Sequence, residues 1–265
     1  MKVVVQMLEQ DIQYGTDAMQ KLDLYTPASS NGRSLVLIHG GGWWQGDKHK
    51  EMSTAARFVD MGYTVAAINY RLALAATNLF PTQNRDVLAA YQWLIAHEPS
   101  FTAQNIAFIG GSTGGHLAAY LGLTLGRPFV SLSGLFDLAG FYAAHPDVTP
   151  VQRIFSKHTA SSAIDQDGSD DGYYKWIIEN LLPEITPAQL DAASIWRWVR
   201  ATSGPGLLIN SLHELVPASE PLQLAGLLQA KSVPVETILL PGTRHGEAYL
   251  PDVIGSVQQF LDRYF

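Results

Sequence analysis

Short, continuously apolar runs recur along this chain with helical patterns between them, and few folds accommodate that alternation. Leu35-Val36-Leu37-Ile38 is apolar at every position. Such a strand must be buried on both faces, which marks a mostly parallel sheet covered by helices on either side. Thr64 to Ile68, Asn105 to Ile109, Phe129 to Leu132, Leu207 to Ile209 and Val235 to Leu240 read the same way. Lys21 to Tyr25 alternates and predicts an early, half-exposed strand. Helical spacing lies between the strands. In Asp86 to Ala96, Val87, Leu88, Tyr91, Leu94 and Ile95 fall on one face. Leu222, Leu224, Leu227 and Leu228 predict a later helix. Pro251 to Phe265 predicts a closing helix with Val253, Val257, Phe260 and Leu261 inward and Pro251 in its first turn, where a missing N–H costs little. The fold class is therefore α/β, and 265 residues suit a single domain over 1–265.

One stretch breaks the alternation. From Leu138 to Ala193 there is no clear strand, and the segment is rich in aromatic residues and proline: Tyr142, Tyr173, Tyr174, Trp176, Pro183 and Pro187. It is too long for a bare connection. It predicts helices of its own, a cap of approximately 138–193 inserted between the strands near Leu132 and Leu207.

Composition removes several classes of function. A hydrophobic share of 47% against 15% charged residues excludes wholesale disorder. The formal net charge of −7, with no basic run, argues against nucleic acid as a partner. The chain has no cysteine, which rules out disulfides, thiolate catalysis and cysteine-ligated zinc, and fits a cytoplasmic protein. The run from Met1 to Gln6 is too short for a signal peptide. Ile106 to Leu125 is interrupted by four glycines and His116, so it reads as strand, turn and helix rather than a membrane span. Asp165, Asp167, Asp170 and Asp171 suggest calcium, but the glycine and glutamate of a calcium loop are not at the required offsets, and a solvated loop is expected. No metal and no organic cofactor is expected.

Three motifs carry chemistry. Gly110-Gly111-Ser112-Thr113-Gly114 follows one predicted strand and precedes a helix starting near Gly115. A serine on so tight a turn has its hydroxyl exposed above the sheet, with a helix N-terminus behind it to favour negative charge. His39-Gly40-Gly41-Gly42-Trp43 follows another strand. Acyl transfer places charge on a carbonyl oxygen, and the glycines let backbone N–H groups approach it. Gly41 and Gly42 are the expected donors, joined by Thr113. His39 is read as holding a structural hydrogen bond within the loop. The third motif, Pro241 to Gly246, follows the last strand and places His245 to take the Ser112 proton.

These motifs resemble the α/β-hydrolase esterases of the hormone-sensitive-lipase-like branch and their arylformamidase-like relatives. Gly46-Asp47-Lys48, Asn69-Tyr70-Arg71-Leu72-Ala73 and Gly115-His116-Leu117-Ala118 add to the likeness. The resemblance implies an α/β-hydrolase fold and a nucleophile–acid–histidine triad. It also shows a departure. Such relatives usually carry an aspartate where this chain has His213, in Ser211-Leu212-His213-Glu214-Leu215. Three readings stay open: Glu214 is the acid, Asp137 supplies it from another strand, or Ser112 and His245 work as a dyad.

Other residues have two readings each. Trp43 and Trp44 line a pocket or pack under the loop. Arg71 binds an acidic substrate or, the favoured reading, pairs with Asp86. His116 is read as a packing residue. The expected function is hydrolysis of small carboxylic esters through an acyl-enzyme, on a small-molecule ester and without a membrane. Two alternatives stand beside it: an arylformamidase-type amide hydrolase and a catalytically weak ligand-binding protein. A homodimer is left open.

Overall fold

The computed structural model describes residues 5–74, 76–154 and 166–265, the first three by backbone alone. Eight strands form one sheet: β1 (Val5–Gln13), β2 (Lys21–Pro27), β3 (Ser34–Ile38), β4 (Thr64–Ile68), β5 (Ile106–Gly111), β6 (Phe129–Leu132), β7 (Gly206–Ser211) and β8 (Val235–Leu240). Their order is β1-β2-β4-β3-β5-β6-β7-β8. β1 and β2 are antiparallel additions, and from β4 to β8 every pairing is parallel. The pleat divides the apolar runs between two cores. Leu35 and Leu37 join Ala107, Ile109 and Val65 on one face, whereas Val36 and Ile38 join Phe108 and Ile68 on the other. The first face is covered by α1 (Met52–Asp60) and α8 (Leu250–Tyr264), and the second by α2 (Thr82–His97) and α3 (Thr113–Leu125). In α8, Val253, Val257, Phe260 and Leu261 are all buried, each contributing about 1.5–3 kcal/mol.

Between β6 and β7 lie α4 (Leu138–Ala144), α5 (Asp171–Leu181), α6 (Pro187–Ala193) and a 3₁₀ turn at Ile195–Trp198. These are the helices expected over 138–193; the part at 155–165, with Asp165, lies outside the described residues. α7 (Ser219–Ala230) follows β7. α5 packs Phe141 of α4 against Tyr174, ring centroids 3.9 Å apart.

Several expectations need correction. β2 is not half-exposed, because Asp23 is fully buried and its carboxylate meets Lys48 Nζ at 2.7 Å. Alternation along β2 therefore reports charge and not exposure. β8 is partly exposed along its whole length, unlike the central strands, because as an edge strand it has one neighbour. Leu222 and Leu227 are exposed on α7, and Ile95 on α2. α2 starts four residues before Asp86, in a turn whose buried residues, Gln83 and Asn84, are polar. β1 and α1 were not anticipated.

Candidate active site

The turn from β5 to α3 puts Ser112 at φ 55°, ψ −126°, a region that side chains rarely enter and that costs about 1–3 kcal/mol. The surroundings hold it there. The Ser112 N–H donates to the Leu132 carbonyl at 2.7 Å, and the Ser112 carbonyl accepts the His116 N–H at 3.1 Å. Gly111 has no room for a side chain, since an added Cβ would lie 2.1 Å from Glu247 Oε1. α3 begins at Thr113, directly after the serine, and its first N–H groups have no partner within the helix.

The loop after β3 arrives beside this turn. A Cβ on Gly40 would lie 3.1 Å from the Ser112 Cβ. Gly41 and Gly42 have φ +123° and +64°, the left-handed region that glycine enters without steric cost. The Trp43 N–H donates to Thr113 Oγ1 at 3.4 Å, which ties the end of the glycine loop to the first residue of α3. His39 turns inward. It stacks on Tyr70 with ring centroids 4.4 Å apart, its Nδ1–H donates to the Gly40 carbonyl at 2.8 Å, and burial lowers its pKa to about 4. It is a neutral structural residue.

The loops after β7 and β8 meet at His245, which is buried. The Glu214 carboxylate is also buried, and its two oxygens have different partners. Oε2 accepts a short hydrogen bond from His245 Nδ1, and Oε1 accepts the Ser211 N–H at 2.6 Å. His213 is exposed and contributes only backbone, its N–H donating to the Gly242 carbonyl at 3.0 Å. The carboxylate on His245 Nδ1 thus comes from one position later than the expected aspartate, on a side chain one methylene longer. Asp137 is spent elsewhere: it caps α4 by accepting the Gly140 N–H at 2.8 Å.

Residues that no motif indicated support this constellation. Ser133 accepts the Gly246 N–H at 2.9 Å and donates to Tyr249 Oη at 2.8 Å, while Tyr249 donates to the Ile209 carbonyl at 2.6 Å. Gln166 bonds to the backbone of His245. Glu247 is buried behind Gly111, and burial raises its pKa against the opposing pull of its own and the Gly111 N–H groups and of the nearby His245 and Lys50 charges. No local pattern marks these residues, because their partners are distant in the chain, Ser133 and Tyr249 being 116 positions apart.

The remaining residues fall as follows. Trp43 is buried against His116, centroids 5.1 Å apart, and Trp44 meets Trp176 of α5 at 4.8 Å. The His116 ring is structural: its Nδ1–H donates to the Leu135 carbonyl at 2.7 Å, and burial lowers its pKa to about 4. Arg71 pairs with Asp86 through two side-chain bonds of 2.7 and 2.9 Å. Asp170 caps α5, Asp171 lies in its first turn and Asp167 is exposed, so these aspartates diverge. Among the described residues no helix is long and apolar enough to cross a membrane.

The model of the BD-FAE family, α/β-hydrolase esterases, matches residues 22–218. The chain belongs to that family. Probable carboxylic ester hydrolase LipM of Mycobacterium tuberculosis is 38% identical over 261 residues, covering 86% of this chain and 53% of LipM. A kynurenine formamidase of Meyerozyma guilliermondii is 24% identical over 256 residues, covering 90% of this chain and 87% of the formamidase. The chain spans 16%, 32%, 58% and 53% of the lengths of four curated relatives, LipM among them. Among solved structures, a truncated carbohydrate esterase from gut microbiota superposes with TM-score 0.72 over 98% of both chains at 18% identity. Esterase B of Lactobacillus rhamnosis gives 0.73 over 97% of this chain and 84% of that one, also at 18%. At that identity these two bear on the fold, which is the α/β-hydrolase fold.

Proposed function

We propose that the protein is a serine hydrolase of small carboxylic esters. Ser112 Oγ attacks the ester carbonyl while His245 takes its proton. The tetrahedral oxyanion is held by the N–H groups of Gly41, Gly42 and Thr113. His245 then protonates the departing alcohol, leaving an acyl group on Ser112, and water delivered by the same base releases the acid. Glu214 holds the imidazole tautomer and stabilises the imidazolium that forms. The observations that carry this reading are the Glu214 carboxylate on Nδ1 of a buried histidine and a serine held at positive φ, with a Cβ added to Gly246, the residue after the histidine, lying 4.0 Å from the Ser112 nitrogen. The carboxylate also removes the motive for a degenerate, merely binding site, which was the missing aspartate.

The insertion is proposed to act as a cap that favours short acyl groups. Its support is α5, whose Tyr173 and Ile177 pack onto Gly42: an added Cβ there would lie 2.8 Å from Ile177 Cγ2 and 3.1 Å from Tyr173 Oη. A cysteine-free chain suits the cytoplasm, which we propose as its location. The formamidase reading keeps one specific support, since the kynurenine formamidase is covered over 87% of its length. Turnover of p-nitrophenyl acetate and of an N-formyl aromatic amine, run in parallel, separates the two. Ser112→Ala abolishes both activities and covalent labelling by a fluorophosphonate while leaving the fold intact. Near wild-type turnover in that variant would sink the proposal.

A further inference from the structure

Gln166 lies within the insertion, ahead of α5, yet its side chain bonds to the loop after β8. Its Oε1 accepts the His245 N–H at 3.0 Å, and its Nε2 donates to the His245 carbonyl at 3.2 Å. One amide thus satisfies both backbone groups of one residue, as a neighbouring strand would. His245 has the extended φ −119°, ψ 140° that such pairing requires. The Gln166 carbonyl in turn accepts Thr243 Oγ1–H at 2.8 Å. Two residues on, a Cβ added to Gly168 would lie 3.2 Å from the His213 carbonyl. The insertion therefore rests on both loops that carry Glu214 and His245.

The histidine is held from separate directions. Glu214 fixes the ring through Nδ1, and Ser133 fixes the next residue through the Gly246 N–H. Ser211 Oγ–H also donates to the Arg244 carbonyl at 2.6 Å, and the His245 carbonyl accepts the Ala248 N–H at 3.3 Å; of these contacts, only those of the Gln166 amide tie the His245 backbone to the insertion. We infer that Gln166 is a positioning residue for the base, so that the placement of the insertion and the placement of His245 are one variable. This rests on the reading of His245 as the base. An ångström of displacement at a proton-transfer site costs about a hundredfold in rate. An anchor that merely ties down the insertion would behave differently, lowering the melting temperature and raising KM as the pocket loosens.

The test uses Gln166→Met, which keeps the length of the side chain and loses both hydrogen bonds, with Gln166→Ala as a second variant in case methionine fits badly. The substrate is p-nitrophenyl acetate. Both variants lower kcat about ten- to a hundredfold with KM within about twofold of wild type, and thermal melting shifts by no more than a few degrees. The same changes are then made in His245→Ala. With the base gone there is nothing left to position, and the residual rate does not fall further. An unchanged kcat in both variants overturns the inference. So does an equal fold-loss in the two backgrounds, since Gln166 would then act on substrate or fold. A His245→Ala protein with near wild-type turnover gives a different signature and strikes the proposed function itself.

Discussion

Glu220 should make this protein less stable as pH rises through neutrality, and one atom substituted should remove the effect. The carboxyl group lies at the start of α7, fully enclosed. Oε2 accepts the N–H groups of Phe136 and Asp137 at 2.5 and 2.9 Å, and Oε1 accepts Tyr174 Oη–H at 2.8 Å. Burial raises its pKa from 4.5 to about 7, helped by the charge of Asp137 and opposed by the three hydrogen bonds. A carboxyl raised in the folded state binds its proton more tightly there than in the unfolded chain. Its contribution is fully present below pH 4.5 and is lost as pH rises towards about 7, above which the loss is complete. At ~1.4 kcal/mol for each tenfold change, the rise amounts to about 3 kcal/mol. Glu220→Gln mimics the protonated acid: its carbonyl accepts the two N–H groups, and its amide donates to Tyr174 Oη. Urea unfolding followed by circular dichroism, at intervals from pH 5 to 8, measures both proteins. Other titrating groups are common to the two and cancel in the difference. The curves nearly meet at pH 5, and by pH 8 the variant is the more stable by up to about 3 kcal/mol. Parallel curves with a constant offset, or a wild type that gains on the variant with rising pH, would refute the argument.

Three further outcomes are expected. Glu214→Gln lowers kcat about a hundredfold or more, since an amide does not stabilise the imidazolium, whereas Asp137→Asn and His213→Ala change it only a few-fold; steady-state kinetics on the three purified variants decide between them. Gly111→Ala places a methyl 2.1 Å from Glu247 Oε1, and the shift it forces next to Ser112 abolishes turnover; wild-type kinetics in that variant would mean that the elbow has slack. Lys48→Met leaves the fully buried Asp23 without the ammonium 2.7 Å away and costs about 3–5 kcal/mol in urea unfolding, a loss that should be largely recovered when Asp23→Asn is added.

The parts of this structure legible in the sequence are those encoded by neighbours in the chain. β4, β6 and β8 have the bounds their apolar runs predict, and the elbow at Ser112 stands between the strand and helix that a G-x-S-x-G turn demands. Local pattern also singled out the Gly41 and Gly42 loop, whose two glycines take positive φ. It fails where a side chain answers to something distant. β8 ends in the apolar run Ile238-Leu239-Leu240, yet all three are partly exposed, because the strand has one neighbour in the sheet, a property of topology. β1 reads Val5-Gln6-Met7-Leu8-Glu9-Gln10-Asp11-Ile12-Gln13, too polar to announce a strand, and its definition comes from the β2 backbone opposite. The buried charges are the extreme case. Nothing near Asp23 announces Lys48, and nothing near Glu220 announces Tyr174, because a buried ion needs one partner of the right chemistry and the chain can deliver it from any element. The same reasoning explains the carboxylate at His245. A motif searched at a fixed offset finds His213, whereas the imidazole requires only a carboxylate at Nδ1. A glutamate one residue later meets that requirement once its other oxygen is tied to the Ser211 N–H. What constrains position 213 is its backbone bond to Gly242, which leaves its side chain free to be anything solvent tolerates. Identity at the aspartate position is thus replaceable, while the geometry at the histidine is not.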